Sequence, residues 1–301
     1  MKTLATIVKN EEDIIETFVR YHISIFDQII IVDHDSTDNT REILNKLKIE
    51  FDKIKIIDEK SIWHIQSQIS TKLLNEFGQN SDWFVFLDAD EFLLLDKDLD
   101  NIVFDKSKLL MGCWYNYVPT IECSDEKNVL KAITYRTKIV NLNQLKVIMH
   151  KNIFKLYNDL YYVEGQHEVH SKDQYINRNV SKSIRICHFP IRSCTQTVSK
   201  YLIGWLAKLS NPYNQNLIPN WSHWKRMFDK VKNKIDFLDI QDIAAGYTFD
   251  HSETPYELVC DPVPCNFELK YTNLIQKRSP YDLLLEFTEK LAWEFCRSKN
   301  Q

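Results

Sequence analysis

Short apolar segments alternate with amphipathic segments up to Leu95, and this alternation most narrows the folds open to the chain. Continuous apolar character predicts strands at residues 4–8, 28–32, 53–57 and 83–87. Apolar residues at helical spacing predict helices at residues 14–22, 40–47 and 62–77. Strands and helices that alternate with short connections favour an α/β fold, with a mostly parallel sheet flanked by helices.

Polar residues follow three of these predicted strands, at 9–11, 33–38 and 88–91. Because ligands bind beyond the carboxyl ends of parallel strands, we expect the three segments to line one crevice. Asp88 and Asp90 face the same side if the fourth strand stays extended. Two carboxylates buried together need a cation, and oxygen ligands suit Mg²⁺ or Mn²⁺, which commonly accompany phosphate. The alternative is a strand that ends in a solvated acidic turn.

Composition removes several classes of function. With 5 glycines among 301 residues the chain has no G-x-G-x-x-G or Walker sequence, so a metal, side chains or a helix N-terminus must hold any phosphate. A net charge of −4 argues against nucleic-acid binding. Seven scattered cysteines favour reduced thiols in the cytoplasm. No run of ~20 apolar residues occurs, which leaves peripheral membrane association open.

The pattern changes after Leu95. Aromatic and β-branched segments predict antiparallel additions to the sheet at residues 109–117, 132–139, 146–157, 160–163 and 184–187. A helix is predicted at residues 195–209, and charged helical sequence dominates the last part of the chain. We therefore divide the chain into a first domain, residues 1–205, and a mostly helical extension, residues 206–301.

Five segments in this order resemble glycosyltransferase family 2, whose members have the GT-A, Rossmann-like fold. They are residues 6–11, residues 31–40, residues 86–92, residues 145–148 with His167 and Glu168, and residues 188–193 with Lys200. The Lys-Asn-Glu and Asp-x-Asp-Glu-Phe sequences are similar to those of a bacterial subgroup. The resemblance covers roughly residues 1–205 and implies that they form the catalytic domain, so we expect the acceptor site in residues 206–301. It implies sugar transfer from a nucleotide-sugar donor, with Mn²⁺ or Mg²⁺ between the Asp-x-Asp carboxylates and the diphosphate.

The resemblance also assigns roles at the carboxyl edge of the sheet. It implies that Asp33 bonds the donor base, that Asp88 lies near the ribose and the metal, and that Asp90 is a direct metal ligand. His188 matches a late histidine that completes the metal site in many GT-A enzymes, with the capping of a strand end as the alternative. Many family members read Asp-Asp-Gly-Ser where this chain reads Asp-His-Asp-Ser, so the base-binding carboxylate stays open between Asp33 and Asp35.

Four further residues are candidates for donor binding. Lys9 and Glu11 follow the first strand and are placed to contact the nucleoside. Arg192 and Lys200 are candidates for the diphosphate, because arginine binds phosphate as a fork and lysine as a point charge. The alternative for these two cations is an ordinary solvated surface position.

An acceptor hydroxyl needs a base to take its proton. The Glu-Asp pair that marks this base in the wider family is not evident, so Glu168, Glu164 and His167 are the candidates, each with an ordinary loop position as its alternative. If the family's usual inverting displacement applies, the base is a carboxylate opposite the leaving group.

Together these patterns predict a cytoplasmic, metal-dependent glycosyltransferase. We expect a UDP-sugar as the first donor to consider, a glycan or lipid-linked glycan as acceptor, and a place in bacterial surface polysaccharide synthesis, which rests on the resemblance alone. One alternative is a sugar nucleotidyltransferase, against which the low glycine count argues. The other is a non-catalytic nucleotide- or carbohydrate-binding module, against which Asp88, Asp90 and His188 argue.

Overall fold

The computed structural model describes residues 1–63, 65–121, 125–163, 165–172, 174–211, 222–249, 256–274 and 278–298. Twelve strands and nine α-helices lie within these ranges. The first half of the fold alternates strand and helix: β1 Lys2–Val8, α1 Ile15–His22, β2 Gln28–Asp33, α2 Thr40–Glu50, β3 Ile54–Asp58, α3 Gln66–Phe77 and β4 Trp83–Phe86.

These first four strands form a parallel sheet in the order β4-β1-β2-β3. The predicted parallel core is thereby confirmed, although α3 begins four residues later than the sequence pattern indicated. Successive side chains of a strand point to opposite faces. Leu4 packs into a core on one face and Ala5 into a core on the other, and the same alternation holds for Val85 and Phe86. Burial on both faces explains why these strands read as continuous apolar runs.

The later strands mostly extend this core beyond β4 by antiparallel pairing, as predicted, but the one predicted at 160–163 instead pairs with residues 169–171 in a separate two-stranded sheet. The later strands and their connecting helices are β5 Glu91–Leu95, β6 Leu109–Val118, α4 Val129–Ala132, β7 Tyr135–Thr137, β8 Asn141–His150, α5 Lys151–Leu156, β9 Leu160–Tyr162, β10 Val169–Ser171, β11 Arg178–His188 and β12 Leu258–Cys260. β8 lies between β4 and β6, antiparallel to both. β11 pairs antiparallel with β5 and parallel with β6.

Two predicted strand bounds are wrong. The strand predicted at 146–157 stops at His150, whose side chain accepts a hydrogen bond from the backbone N–H of Asn152 and so begins α5. The strand predicted at 132–139 is only the short β7, because residues up to Ala132 form α4 with Asn128 as its N-cap. In both places a polar side chain satisfies a free backbone N–H and favours a helical turn.

Helices dominate the end of the chain: α6 Cys194–Leu209, α7 Ser222–Lys232, α8 Phe237–Phe249 and α9 Pro280–Ser298. α6 is their common support. Its Tyr201 lies in one apolar cluster with Met227 of α7, and its Ile203 lies in another with Phe287 of α9. Among the described residues, none of these helices is both long and apolar enough to cross a bilayer.

His22 links α1 to β5 inside this core. Its Nδ1 donates to the carbonyl of Phe18, and its Nε2 accepts from the backbone N–H of Leu93 at 3.1 Å. Burial lowers the pKa of His22 to about 3. The unfolded chain therefore takes up a proton below about pH 6.5 that the folded chain refuses until about pH 3, so folding stability falls as the pH drops through that window.

Lowering the pH from 7 to 5 should reduce the free energy of unfolding of both the wild type and the His22→Gln variant. We predict that the reduction is about 2 kcal/mol larger in the wild type. Gln retains an acceptor for the Leu93 amide but cannot be protonated. Urea unfolding of both proteins at the two pH values measures the difference. Equal losses in the two proteins would show that His22 does not remain neutral in the fold.

Candidate active site

The Asp88-Ala89-Asp90 segment forms a tight turn between β4 and β5. The backbone N–H of Asp88 donates to Oε2 of Glu91 at 2.9 Å, and the N–H of Glu91 donates to the carbonyl of Asp88 at 3.0 Å. The strand does not stay extended past Leu87, so the period-two argument for Asp88 and Asp90 does not apply. The turn instead sends the two carboxylates to different cationic partners.

Lys146 of β8 is the partner of Asp88. Its Nζ lies 2.9 Å from Oδ2 of Asp88 and 3.0 Å from Oε2 of Glu91, and both Lys146 and Glu91 are fully buried. Gln66 donates to the other oxygen of Asp88 at 2.9 Å. Burial raises the pKa of Glu91 to about 8 against the opposing charge of Lys146. Lys146 thus supplies the positive charge that offsets Asp88 and opposes the rise in the pKa of Glu91.

Asp90 is 5% exposed and lies among three nitrogen-bearing side chains. Lys200 of α6 donates to its Oδ2 at 3.0 Å, Arg192 lies 3.9 Å from the same oxygen, and Nε2 of His188 lies 3.8 Å from Oδ1. Burial works to raise the pKa of Asp90, but the positive charges of Lys200 and Arg192, with the hydrogen bond from Lys200, hold the pKa well below its usual range. Asp90 is therefore an anion in the folded protein.

The register of β11 against β5 and β6 places His188 beside Asp90. His188 lies opposite Glu91 of β5 and Asn116 of β6, and the next N–H, from Phe189, donates to the carbonyl of Asp90 at 2.8 Å. The Nδ1 of His188 lies 2.7 Å from Oδ1 of Asn116. An amide oxygen only accepts, so Nδ1 carries the proton and Nε2 presents its lone pair towards Asp90. Burial lowers the pKa of His188 to about 3, which keeps the ring neutral.

Asn10 ties the loop after β1 to the loop after β2. Its side-chain oxygen accepts from the backbone N–H of Thr37 at 2.7 Å, and its own N–H donates to the hydroxyl of Ser36 at 3.1 Å. Asn10 and Asp35 both have left-handed backbones, with φ of 58° and 54°. Asn and Asp adopt this conformation more readily than other side-chain-bearing residues. The two polar loops therefore form one unit at the carboxyl edge of the sheet.

The predicted donor-binding residues of these loops lie close together. Asp33, at the end of β2, accepts from the N–H of Ser36 at 3.1 Å. Lys9 donates to the carbonyl of His34 at 2.9 Å, and Asp35 accepts from Lys290 of α9 at 2.6 Å. These contacts place Asp33, Asp35 and Lys9 around one edge. Their roles towards a donor remain predictions.

Arg192 has its hydrogen-bonding capacity engaged inside the protein. It donates to Glu11 at 2.6 Å, to both oxygens of Asp13 at 2.8 and 2.9 Å, and to the carbonyl of Phe189 at 3.2 Å. Burial raises the pKa of Glu11 to about 7, while Arg192 opposes the rise. Arg192 and Glu11 thus join the loop after β1 to the start of α6, and Lys200, with 22% of its side chain exposed, is the more accessible cation beside Asp90.

The three candidate bases differ in their hydrogen-bond partners and in the direction of their pKa shifts. Glu168 is held by His170 at 2.8 Å and Arg178 at 2.9 Å, and although burial works in the opposite direction these hydrogen bonds lower its pKa. His167 donates from Nδ1 to the carbonyl of Leu145, and burial, followed by the charge of Lys146, lowers its pKa to about 4. Glu164 lies outside the described residues.

Lys146 and Asn116 are site residues to which sequence reasoning gave no role. Lys146 stands between apolar residues of a buried strand, and a lysine in such a run was a usable signal that a buried carboxylate lies nearby. Asn116 gave no comparable signal, because its role depends on the register between β6 and β11.

The residues present fit a divalent metal ion only in part. Within the described ranges, no group of three or more His, Cys, Asp or Glu side chains is placed to hold one. Oδ1 of Asp90 and Nε2 of His188 are 3.8 Å apart, a separation that one ion with ligands at about 2.1 Å can bridge. Mg²⁺ and Mn²⁺ in nucleotide sites commonly take one or two protein ligands and complete their shell with phosphate and water. The pair fits a metal that arrives with a diphosphate.

Part of the chain matches a known protein family. Residues 3–103, about a third of the chain, match the family model described as Glycosyl transferase family 2. The matched segment contains Lys9, Asp33, Asp88 and Asp90. The match covers the parallel core, the turn after β4 and strand β5. No curated protein matches it.

Several solved structures are similar to the chain at low identity. S. aureus TarS is 12% identical, with 78% of this chain and 43% of that chain covered and a TM-score of 0.37. Mannosyltransferase PcManGT from Pyrobaculum calidifontis, solved with GDP-Man and Mn²⁺, is 15% identical over 66% of this chain and 60% of that chain, with a TM-score of 0.36. GalNAc-T7, solved with UDP, GalNAc and Mn²⁺, is 13% identical over 83% of this chain and 54% of that chain, with a TM-score of 0.40. The present chain thus spans less than two thirds of each of these structures.

We predict that Lys146→Met lowers the free energy of unfolding by about 3 kcal/mol, because it leaves the fully buried Glu91 and the partly exposed Asp88 without the cation that lies between them. The double variant Lys146→Met/Glu91→Gln recovers part of this loss, since it also removes the buried carboxyl group that faces Lys146. Urea unfolding at pH 7 measures both. The control is Lys138→Met, which breaks an exposed 2.6 Å pair with Glu257 and leaves stability unchanged. A Lys146→Met protein as stable as the control would contradict the buried cluster.

Proposed function

We propose that the protein is a metal-dependent GT-A glycosyltransferase of the family 2 type. It moves a hexosyl group from a nucleotide-sugar, with a UDP-sugar as the first donor to test, to a glycan or lipid-linked glycan, with inversion at the sugar carbon. The observation that carries the proposal is the pairing of anionic Asp90 with the free Nε2 of neutral His188, at the sheet edge that also holds Asp88 and Asp33.

The chain's own residues have defined tasks in this proposal. Asp90 and His188 hold a Mn²⁺ or Mg²⁺ ion, which when bound neutralises charge on the departing nucleoside diphosphate. Lys200, half-buried beside Asp90, supplies a second positive charge to the same diphosphate. Lys146 keeps Asp88 fixed on the side of the ribose. Asp33 and Lys9 bind the nucleoside at the neighbouring strand ends.

In this proposal the loop that carries His167 and Glu168 supplies the base that acts on the acceptor. The lone pair of Nε2 in neutral His167 and the carboxylate of Glu168 both remain candidates for the base that takes the acceptor proton. Residues 206–301 contribute the acceptor site in this proposal. The place of action is the cytoplasm, at the inner face of the membrane, in bacterial surface polysaccharide synthesis.

A donor screen tests the proposal. The protein is incubated with UDP-, GDP-, CMP- and dTDP-sugars, with Mn²⁺ or with EDTA, and both thermal unfolding and release of the nucleotide are followed. We expect one nucleotide class to raise the unfolding temperature and to be hydrolysed slowly, in both cases only with the metal. No response to any donor under either condition would refute the assignment and favour a binding module for another ligand.

We predict that Asp90→Asn lowers metal-dependent turnover of the accepted donor by at least about 100-fold, equivalent to about 3 kcal/mol of barrier. The amide keeps the shape of the side chain but removes the charge that faces His188 and Lys200. Asp105→Asn, in an exposed turn where Asp105 accepts from Ser107, is the matched control and retains full activity. Full turnover by the Asp90→Asn variant would show that Asp90 is not a metal ligand.

A further inference from the structure

Helix α9 lies against the loop that follows β2, although about 250 residues of sequence separate them. Nζ of Lys290 lies 2.6 Å from Oδ2 of Asp35. The Arg278 guanidinium, just before α9, donates to the carbonyl of Thr37 and pairs with Glu286 at 2.6 Å. The C-terminal helix is therefore fixed to the loop in which donor-binding residues are expected.

This contact reaches the predicted donor edge through a short chain of hydrogen bonds. Thr37 donates its N–H to Asn10, and Asn10 adjoins Lys9, whose Nζ bonds the carbonyl of His34 beside Asp35. Burial lowers the pKa of Lys9 to about 8, Asp35 opposes this, and the charge of Lys290 adds to it. Lys9, Lys290 and Asp35 thus interact electrostatically across the edge.

An open cavity of about 810 Å³ lies beside the same contact. It is lined by Arg278, Leu285, Glu286, Thr288 and Glu289, and the first of these also bonds the loop. The volume is within the range of small-molecule sites, which lie between about 300 and 1,000 Å³. The cavity is therefore a recess with both charged and apolar lining, on the side of α9 where Arg278 bonds the loop.

Charge balance gives Lys290 a specific task. The loop after β2 carries the carboxylates of Asp33, Asp35 and Asp38, and a nucleoside diphosphate is itself an anion. Like charges at close range disfavour binding unless cations offset them. Lys290 offsets Asp35 directly, and it comes from a part of the chain outside both the family match and the resemblance.

We propose that α9 forms a wall of the nucleotide-binding edge and that Lys290, by neutralising and orienting Asp35, is a positioning residue that sets the affinity for the nucleoside diphosphate. This inference rests on the proposed function, because it takes the ligand of the edge to be the nucleotide part of the donor. Lys290 acts on ligand binding and not on the metal, whose proposed ligands are Asp90 and His188.

The test measures binding of UDP and GDP, and of the uncharged nucleosides uridine and guanosine, by titration calorimetry with Mn²⁺. Lys290→Met weakens the accepted diphosphate about tenfold, weakens its nucleoside less, and leaves the dissociation constant of Mn²⁺ alone unchanged. Lys290→Arg keeps the positive charge and restores binding to within about threefold of wild type. Higher salt reduces the difference between the wild type and Lys290→Met, as expected for a charge effect.

Lys46→Met is the matched control. Lys46 and Lys290 are both 37% exposed and each forms a 2.6 Å ion pair, but Lys46 pairs with Glu42 on the outer side of α2. The control binds the diphosphate as the wild type does, and thermal unfolding confirms that all variants fold. Equal affinity of wild type and Lys290→Met would overturn this inference alone. Failure of the wild type to bind any nucleoside diphosphate would overturn the proposed function as well.

Discussion

The arrangement of the site depends on how the carboxylates at the end of β4 are neutralised. Asp88 and Glu91 share the fully buried Lys146, while Asp90 receives Lys200 and faces His188. Buried charges without partners would cost several kcal/mol each. β8 and α6 supply the cations that offset the carboxylates of the turn between β4 and β5. The same arrangement gives Asp88 and Asp90 different surroundings and hence different proposed roles.

Sheet topology explains why residues far apart in sequence meet here. β1 lies between β2 and β4, so the loops after these strands adjoin one another. β11 pairs with both β5 and β6, which sets His188 between Glu91 and Asn116. In a sheet the position of a side chain is fixed by register, and a slip of one residue would turn His188 to the opposite face. The parallel core thus provides the edge, and the antiparallel additions provide the histidine.

The sequence predicted the parallel core well, because strands buried on both faces leave continuous apolar runs and the helices between them keep helical spacing. It also predicted the polar strand ends that the structure brings to one edge. It did not predict that Asp88 pairs with Lys146 or that Asn116 fixes the tautomer of His188, because such contacts depend on register between distant strands. No sequence pattern indicated that Lys290 contacts Asp35. A lysine on a helix rich in charged residues cannot be distinguished by sequence from a lysine that only contacts solvent.

The most direct measurement is a crystal structure of the protein with Mn²⁺ and the nucleoside diphosphate that it binds, with anomalous diffraction used to locate the metal. The account predicts an anomalous peak in contact with Asp90 and Nε2 of His188, with the diphosphate beside Lys200 and the nucleoside between the loops after β1 and β2. A peak away from Asp90, or a nucleotide bound elsewhere while these residues keep their present contacts, would contradict the assignment of this edge as the metal and donor site.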